Sequence, residues 1–83
     1  MSGFILEVAY MPKIDMTATG ANIAALRKKN NMTVRMLQEE LGFNNPQAIF
    51  KWQRGESLPT VDNLVILADL FHVTLNDILV VVK

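Results

Sequence analysis

The 83-residue sequence contains no cysteine. This excludes a disulfide framework, a thiolate nucleophile and any cysteine-based zinc or iron–sulfur centre. A single histidine, His72, leaves no partner for a two-histidine metal face or a zinc triad. No apolar run reaches the 18 or so residues that a membrane span requires. The short apolar stretch Phe4–Tyr10 lacks a basic leader, contains Glu7 and is too short for the core of a signal peptide. Catalytic signatures are also missing: no nucleophile–base pair, metal cluster or phosphate-binding loop is visible, so neither an enzyme nor a cofactor is expected. What remains is a small, soluble, cytoplasmic single domain spanning 1–83, near the lower size limit for a self-sufficient hydrophobic core.

An excess of charge is missing too, with eight Lys+Arg against eight Asp+Glu. The balance hides a strong polarity along the chain. Residues 27–54 hold Arg27, Lys28, Lys29, Arg35, Lys51 and Arg54 against Glu39 and Glu40, a net of +4. Residues 1–26 carry −1 and residues 55–83 carry −3. A neutral protein so divided can still turn one face to a polyanion.

Apolar residues make up 51% of the chain, and their spacing reads mostly as helix. The stretch 4–10 is apolar, aromatic and β-branched and reads as a strand that ends at Met11-Pro12, with 13–16 as a connector. A first helix is expected over about 17–30, with Ile23 and Leu26 inward, cations in its last turn and Asn30-Asn31 as its stop. Thr33 is a natural N-cap for a second helix bearing Val34, Leu37 and Leu41 on one face, closed by Gly42. Phe43-Asn44-Asn45 is a turn, and Pro46 suits the first position of a third helix with Ile49 and Trp52 inward, ending at Gly55. Thr60 caps a fourth helix whose core face is Leu64, Leu67, Ala68 and Phe71, with Asp62 in its first turn. Thr74 caps a fifth, and Asp77 three residues on offers a capping box. The run Ile78–Val82 follows and reads as a C-terminal strand over 78–83. The expected fold is therefore an all-α, five-helix bundle over 17–79, bracketed by two short terminal strands that can pair.

The second helix, the turn and the third helix form a bihelical unit of the size of a helix-turn-helix, whose second helix enters the DNA major groove. The particular residues extend this reading. Asn22–Lys29 resembles the first helix of the phage-repressor and Cro-type, or xenobiotic-response-element, helix-turn-helix family. Met32–Gly42 resembles its second helix and turn glycine, and Ala48–Pro59 resembles its recognition helix and following loop. Thr60–Leu79 is similar to its fourth and fifth helices, so the resemblance covers about 17–79 in order. It implies a lambda-repressor-like fold and sequence-specific binding of double-stranded DNA by a transcriptional regulator, such as a repressor. Two departures stand out. Family members commonly carry Gln after the Thr that opens the second helix, where this chain has Val34, and the turn 43–47 is one residue longer.

On a third helix over 46–54, burying Ile49 and Trp52 turns Gln47, Ala48, Phe50, Lys51 and Arg54 outward. Gln47 suits adenine, Lys51 suits guanine, and Ala48 or Phe50 suits a thymine methyl. Arg54, at the helix end, suits a phosphate, as do Asn44 and Asn45 before the helix and Arg35 and Thr33 at the start of the second. Plainer roles compete with these. Phe50 can be a rim residue packed on the second helix, and Arg27-Lys28-Lys29 can be a solvated helix end matched to the dipole. Trp52 reads as core, and His72 as a helix cap or a solvated residue. Glu39 and Glu40, adjacent on a helix, point apart and read as surface.

The terminal strands 4–10 and 78–82 are expected to pair as a small ribbon, which is marginal unless it packs on something. A homodimer contact through the terminal strands and the fifth helix would supply that surface, and symmetric DNA readers work as dimers. The other reading from a different class is a protein-interaction module of the antitoxin or anti-repressor type.

Overall fold

The computed structural model describes residues 11–82. In chain order these form β1 (Lys13–Ile14), α1 (Met16–Lys29), α2 (Val34–Leu41), α3 (Gln47–Gln53), α4 (Val61–Phe71), α5 (Leu75–Ile78) and β2 (Val81–Val82). Five helices carry the fold, as the apolar spacing predicted.

Each helix begins where a short polar side chain replaces a missing intrahelical acceptor. Thr33, Thr60 and Thr74 accept from the backbone N–H of Met36, Asn63 and Asp77 respectively. Thr74 and Asp77 complete a reciprocal capping box, in which the Asp77 carboxylate accepts from the Thr74 backbone N–H at 2.9 Å. That bond, joined by one from the Thr74 hydroxyl, holds the Asp77 carboxyl below the usual aspartate range. The ends are equally local in origin. Gly42 (φ 71°) and His72 (φ 58°) close α2 and α4 in the left-handed conformation, and Asn31 (φ 57°) follows α1 in the same way. His72 is thus a helix cap.

The core takes at least one side chain from every helix: Ile23, Leu37, Ile49, Trp52, Leu64, Leu67, Phe71 and Ile78. Leu26, Val34, Leu41 and Ala68 pack around it partly buried. α1 reaches this core by close approach more than by large side chains. A Cβ on Gly20 would lie 2.1 Å from the Trp52 carbonyl oxygen, so the backbones of α1 and α3 touch there. Gly55 (φ 76°), just after α3, brings the chain against Thr17 in the same manner.

The strand pairing departs from the expected one. β2 pairs antiparallel with β1, in the register Lys13↔Val82 and Ile14↔Val81, so its partner lies in the stretch read as a connector. The expected strand 4–10 lies outside the described residues. Among the described residues of the expected strand 78–83, Val81–Val82 is strand, while Ile78 completes α5 and is fully buried. Pro12 has no N–H to give a ladder, and pairing starts directly after it. The ribbon is then welded to α1. The Asp15 N–H donates to the Val80 carbonyl at 2.8 Å, and the Asp15 side chain caps α1 by accepting from the Ala18 N–H at 2.9 Å. The Val80 N–H donates to the hydroxyl of buried Thr19 at 2.9 Å. The Asn22 amide donates to the Asp77 and Ile78 carbonyls at the end of α5, at 2.6 and 3.0 Å.

Candidate nucleic-acid interface

The candidate site is the outer surface of α2, the turn 42–46 and α3. Its geometry is set from within by Trp52, which is 4% exposed and meets Phe43 edge-to-face at 5.8 Å between ring centroids. The turn is thereby anchored on the core. The Gln38 amide adds a second tie, donating to the Phe43 carbonyl at 3.2 Å.

α3 starts at Gln47, with Pro46 in the cap position, one residue later than the proline alone indicated. Pro46 has no side-chain acceptor, and the neighbouring Asn45 supplies one: its Oδ1 accepts from the Gln47 N–H at 3.0 Å. Asn45 therefore orders the start of α3, leaving its amide N–H groups to face outward chemistry. Thr33 is similar. Its oxygen accepts from the Met36 N–H at 3.0 Å, and its hydroxyl proton remains to be donated.

Gln47, Phe50, Lys51 and Arg54 are exposed, along one outward side of α3 opposite Ile49 and Trp52. Ala48 corrects the expected outward set. It is half-buried, packs on the core, and lines a hollow with Gly42, Phe43, Asn44 and Asn45.

The cations divide by partner. Arg35 pairs with Glu39 one turn along α2, at 3.4 Å, and both are largely exposed. Arg54 pairs with Glu56. The hydrogen bond between them pushes the Arg54 guanidinium up and the Glu56 carboxyl down from their ordinary values. Lys51 stands on the exposed side of α3 without an ion-pair partner among the described residues.

Arg27 is turned inward. Its Nε donates to Gln53 Oε1 at 3.0 Å and its Nη1 to the Met32 carbonyl at 2.8 Å. Arg27 thus braces the end of α3 against the end of α1. Neither this brace nor the Gln38 tie has a periodic signature in the sequence; each is a polar bond between elements. Lys28 and Lys29 are exposed in the last turn of α1.

A profile of the helix-turn-helix family matches residues 23–78. The chain belongs to the helix-turn-helix family. Two solved structures share its fold. The DNA-binding domain of BldD superposes with a TM-score of 0.65 at 23% identity, covering 78% of this chain and 93% of that one. The restriction-modification controller protein C.AhdI from Aeromonas hydrophila gives a TM-score of 0.68 at 17% identity, covering 77% of this chain and 96% of that one. No curated protein matches by sequence. In this helix-turn-helix protein, α2 and α3 are the two helices of the motif, and α3 is the second. No helix among the described residues is long and apolar enough to cross a membrane.

Proposed function

We propose that the protein binds double-stranded DNA sequence-selectively as a small transcriptional regulator, acting as a repressor in the cytoplasm. The observation that carries this reading is the split of α3, the second helix of the motif. Ile49 and Trp52 are buried, while Gln47, Phe50 and Lys51 stand exposed on the other side. A buried face that fixes the helix and a row of side chains held outward, polar except for Phe50, is what insertion into a major groove needs. The printed descriptions of the two neighbours, a DNA-binding domain and a controller protein, support it.

In this reading Gln47 pairs with an adenine edge and Lys51 with guanine, while Phe50 meets a thymine methyl. Ala48, being half-buried, contributes at most the edge of its methyl. Asn44, Asn45, Thr33, Arg35 and Arg54 hold phosphates and fix the register of the protein on the duplex. The protein acts as a homodimer through the terminal strands and α5, so that two copies of α3 address two half-sites. Exposed Ile14, Val81, Val82 and Leu75 supply apolar surface for that contact.

Base readers and phosphate holders respond differently to substitution, and that difference tests the reading. On a selected duplex, Gln47→Ala or Lys51→Ala should relax discrimination at one base pair by roughly 1–3 kcal/mol. Arg54→Ala should weaken binding about equally on every sequence. If all three leave binding to the selected site intact, α3 is not the reader.

A further inference from the structure

α4 carries aliphatic residues on its outer side as well as its inner one. Leu64, Leu67 and Phe71 are buried in the core, while Val61 (71% exposed), Val65 (54%) and Ile66 (39%) lie on the surface. A helix that is apolar on both sides is ordinarily covered on both. Asp62 and Asp69 stand exposed among these three residues, and neither is in an ion pair among the described residues. No lysine or arginine occurs from Gly55 to Val82, so this part of the chain has no cation of its own to set against them.

The free cations lie elsewhere. Arg35 and Arg54 are paired with Glu39 and Glu56, and Arg27 is engaged by Gln53 and Met32. Lys28 and Lys29, in the last turn of α1, are adjacent, exposed and without an ion-pair partner among the described residues. Within one chain they do not pair with the aspartates of α4, although the two helix ends are close, with the Asn30 amide donating to the Phe71 carbonyl at 3.5 Å.

We propose that the outer side of α4 docks on a second copy of this chain, against the end of that copy's α1, with Asp62 and Asp69 meeting the second copy's Lys28 and Lys29. Charge selects this occupant. Two α4 faces laid together would oppose carboxylates with no cation between them, a like-charge contact that costs affinity. The end of α1 supplies two cations for two carboxylates. Ala21 and Ala25 are exposed on the same side of α1 as Lys28, and their short side chains let the ridge of Val61 and Val65 approach closely. Burying that ridge supplies affinity, and the charge pairs fix which face it takes. The contact uses neither the ribbon nor α5 nor the outward residues of α3, so it stands apart from the homodimer contact and the DNA reading given above.

Sedimentation velocity of the full chain without DNA, at rising protein concentration and at low and high salt, tests the proposal. The wild type should associate, and high salt should weaken the association. Asp62→Lys with Asp69→Lys, and separately Lys28→Glu with Lys29→Glu, should each weaken it by more than about tenfold. An equal mixture of these two variants should recover it, because each then meets the opposite charge. Val65→Ser, which leaves the charge unchanged, should weaken it about fivefold. Thermal unfolding verifies the fold of every variant, since all five positions are exposed. A wild-type chain that stays single at every concentration overturns the proposal. Association that neither charge reversal disturbs overturns it too, as does a mixture that associates no better than its components. No duplex is present, so each result is independent of whether α3 reads DNA.

Discussion

The guanidinium of Arg27, in the last turn of α1, donates to the side-chain oxygen of Gln53, the last residue of α3, at 3.0 Å. A residue that belongs by position to a cationic helix end is thus spent on holding the motif's second helix in place. Arg27→Ala removes this bond and the one to the Met32 carbonyl, and should destabilise the fold by roughly 1–3 kcal/mol. Arg27→Lys keeps the charge without the planar fork and should recover little of that loss. Urea unfolding midpoints of the two variants check this; full recovery by lysine would show that charge alone matters.

Gly20 makes a sharper prediction because its neighbour is backbone. A Cβ there would lie 2.1 Å from the Trp52 carbonyl oxygen and 2.9 Å from that of Gln53. Alanine normally favours a helix over glycine by about 1 kcal/mol. Here the overlap should reverse the sign, with Gly20→Ala destabilising by roughly 1–3 kcal/mol as α1 is forced off α3. Thermal unfolding decides between the two signs.

These two residues also mark where the sequence was legible and where it was not. The caps at Thr33, Thr60, Thr74 and Gly42 were readable because each is a bond within a few residues of chain. The core positions were readable because helical periodicity repeats them. The brace from Arg27, the Gln38 tie and the Gly20 approach join elements separated in sequence or across a turn, and no local pattern announces them. The strand at Lys13–Ile14 was missed for a related reason: two residues after a proline carry no β pattern of their own, and their pairing with Val81–Val82 is held by Asp15, which caps α1 and meets Val80. On the candidate site, Gln47, Phe50, Lys51 and Arg54 were legible as outward from the burial of Ile49 and Trp52. Ala48 was not, because its partial burial comes from packing on the core, which outward spacing on α3 does not announce.

Acid should loosen the end of the bundle. The Asp77 carboxyl is held below its ordinary range by bonds from Thr74, so the ionised form belongs to the folded state. Its contribution is fully present above the unfolded-state pKa and is lost as pH falls through the lower folded-state value. Glu56 has the same sign through Arg54. Stability measured from neutral pH down into the acid range should therefore fall, and the slope should be shallower in Asp77→Asn and shallower again when Glu56→Gln is added. An unchanged slope in both variants would contradict the assignment.

The ion pair between Arg54 and Glu56 competes with any phosphate for the same guanidinium. Glu56→Gln frees that guanidinium and removes an anion beside Lys51, so DNA affinity should rise on all sequences and most at low salt. Arg54→Ala should lower affinity and reduce the magnitude of the salt slope by about 1, the signature of one lost phosphate contact. Fluorescence anisotropy at several salt concentrations reads both effects.

Whether α3 reads DNA sequence is decided by selection of random-sequence duplexes with the purified protein. Binding of the enriched duplex is then measured at two salt concentrations. A reading helix should enrich an inverted repeat, with half-sites spaced by about one helical turn or a multiple, and affinity should fall steeply with salt. No enrichment, with weak and uniform binding to every duplex, would contradict it and leave a protein partner as the reading to pursue.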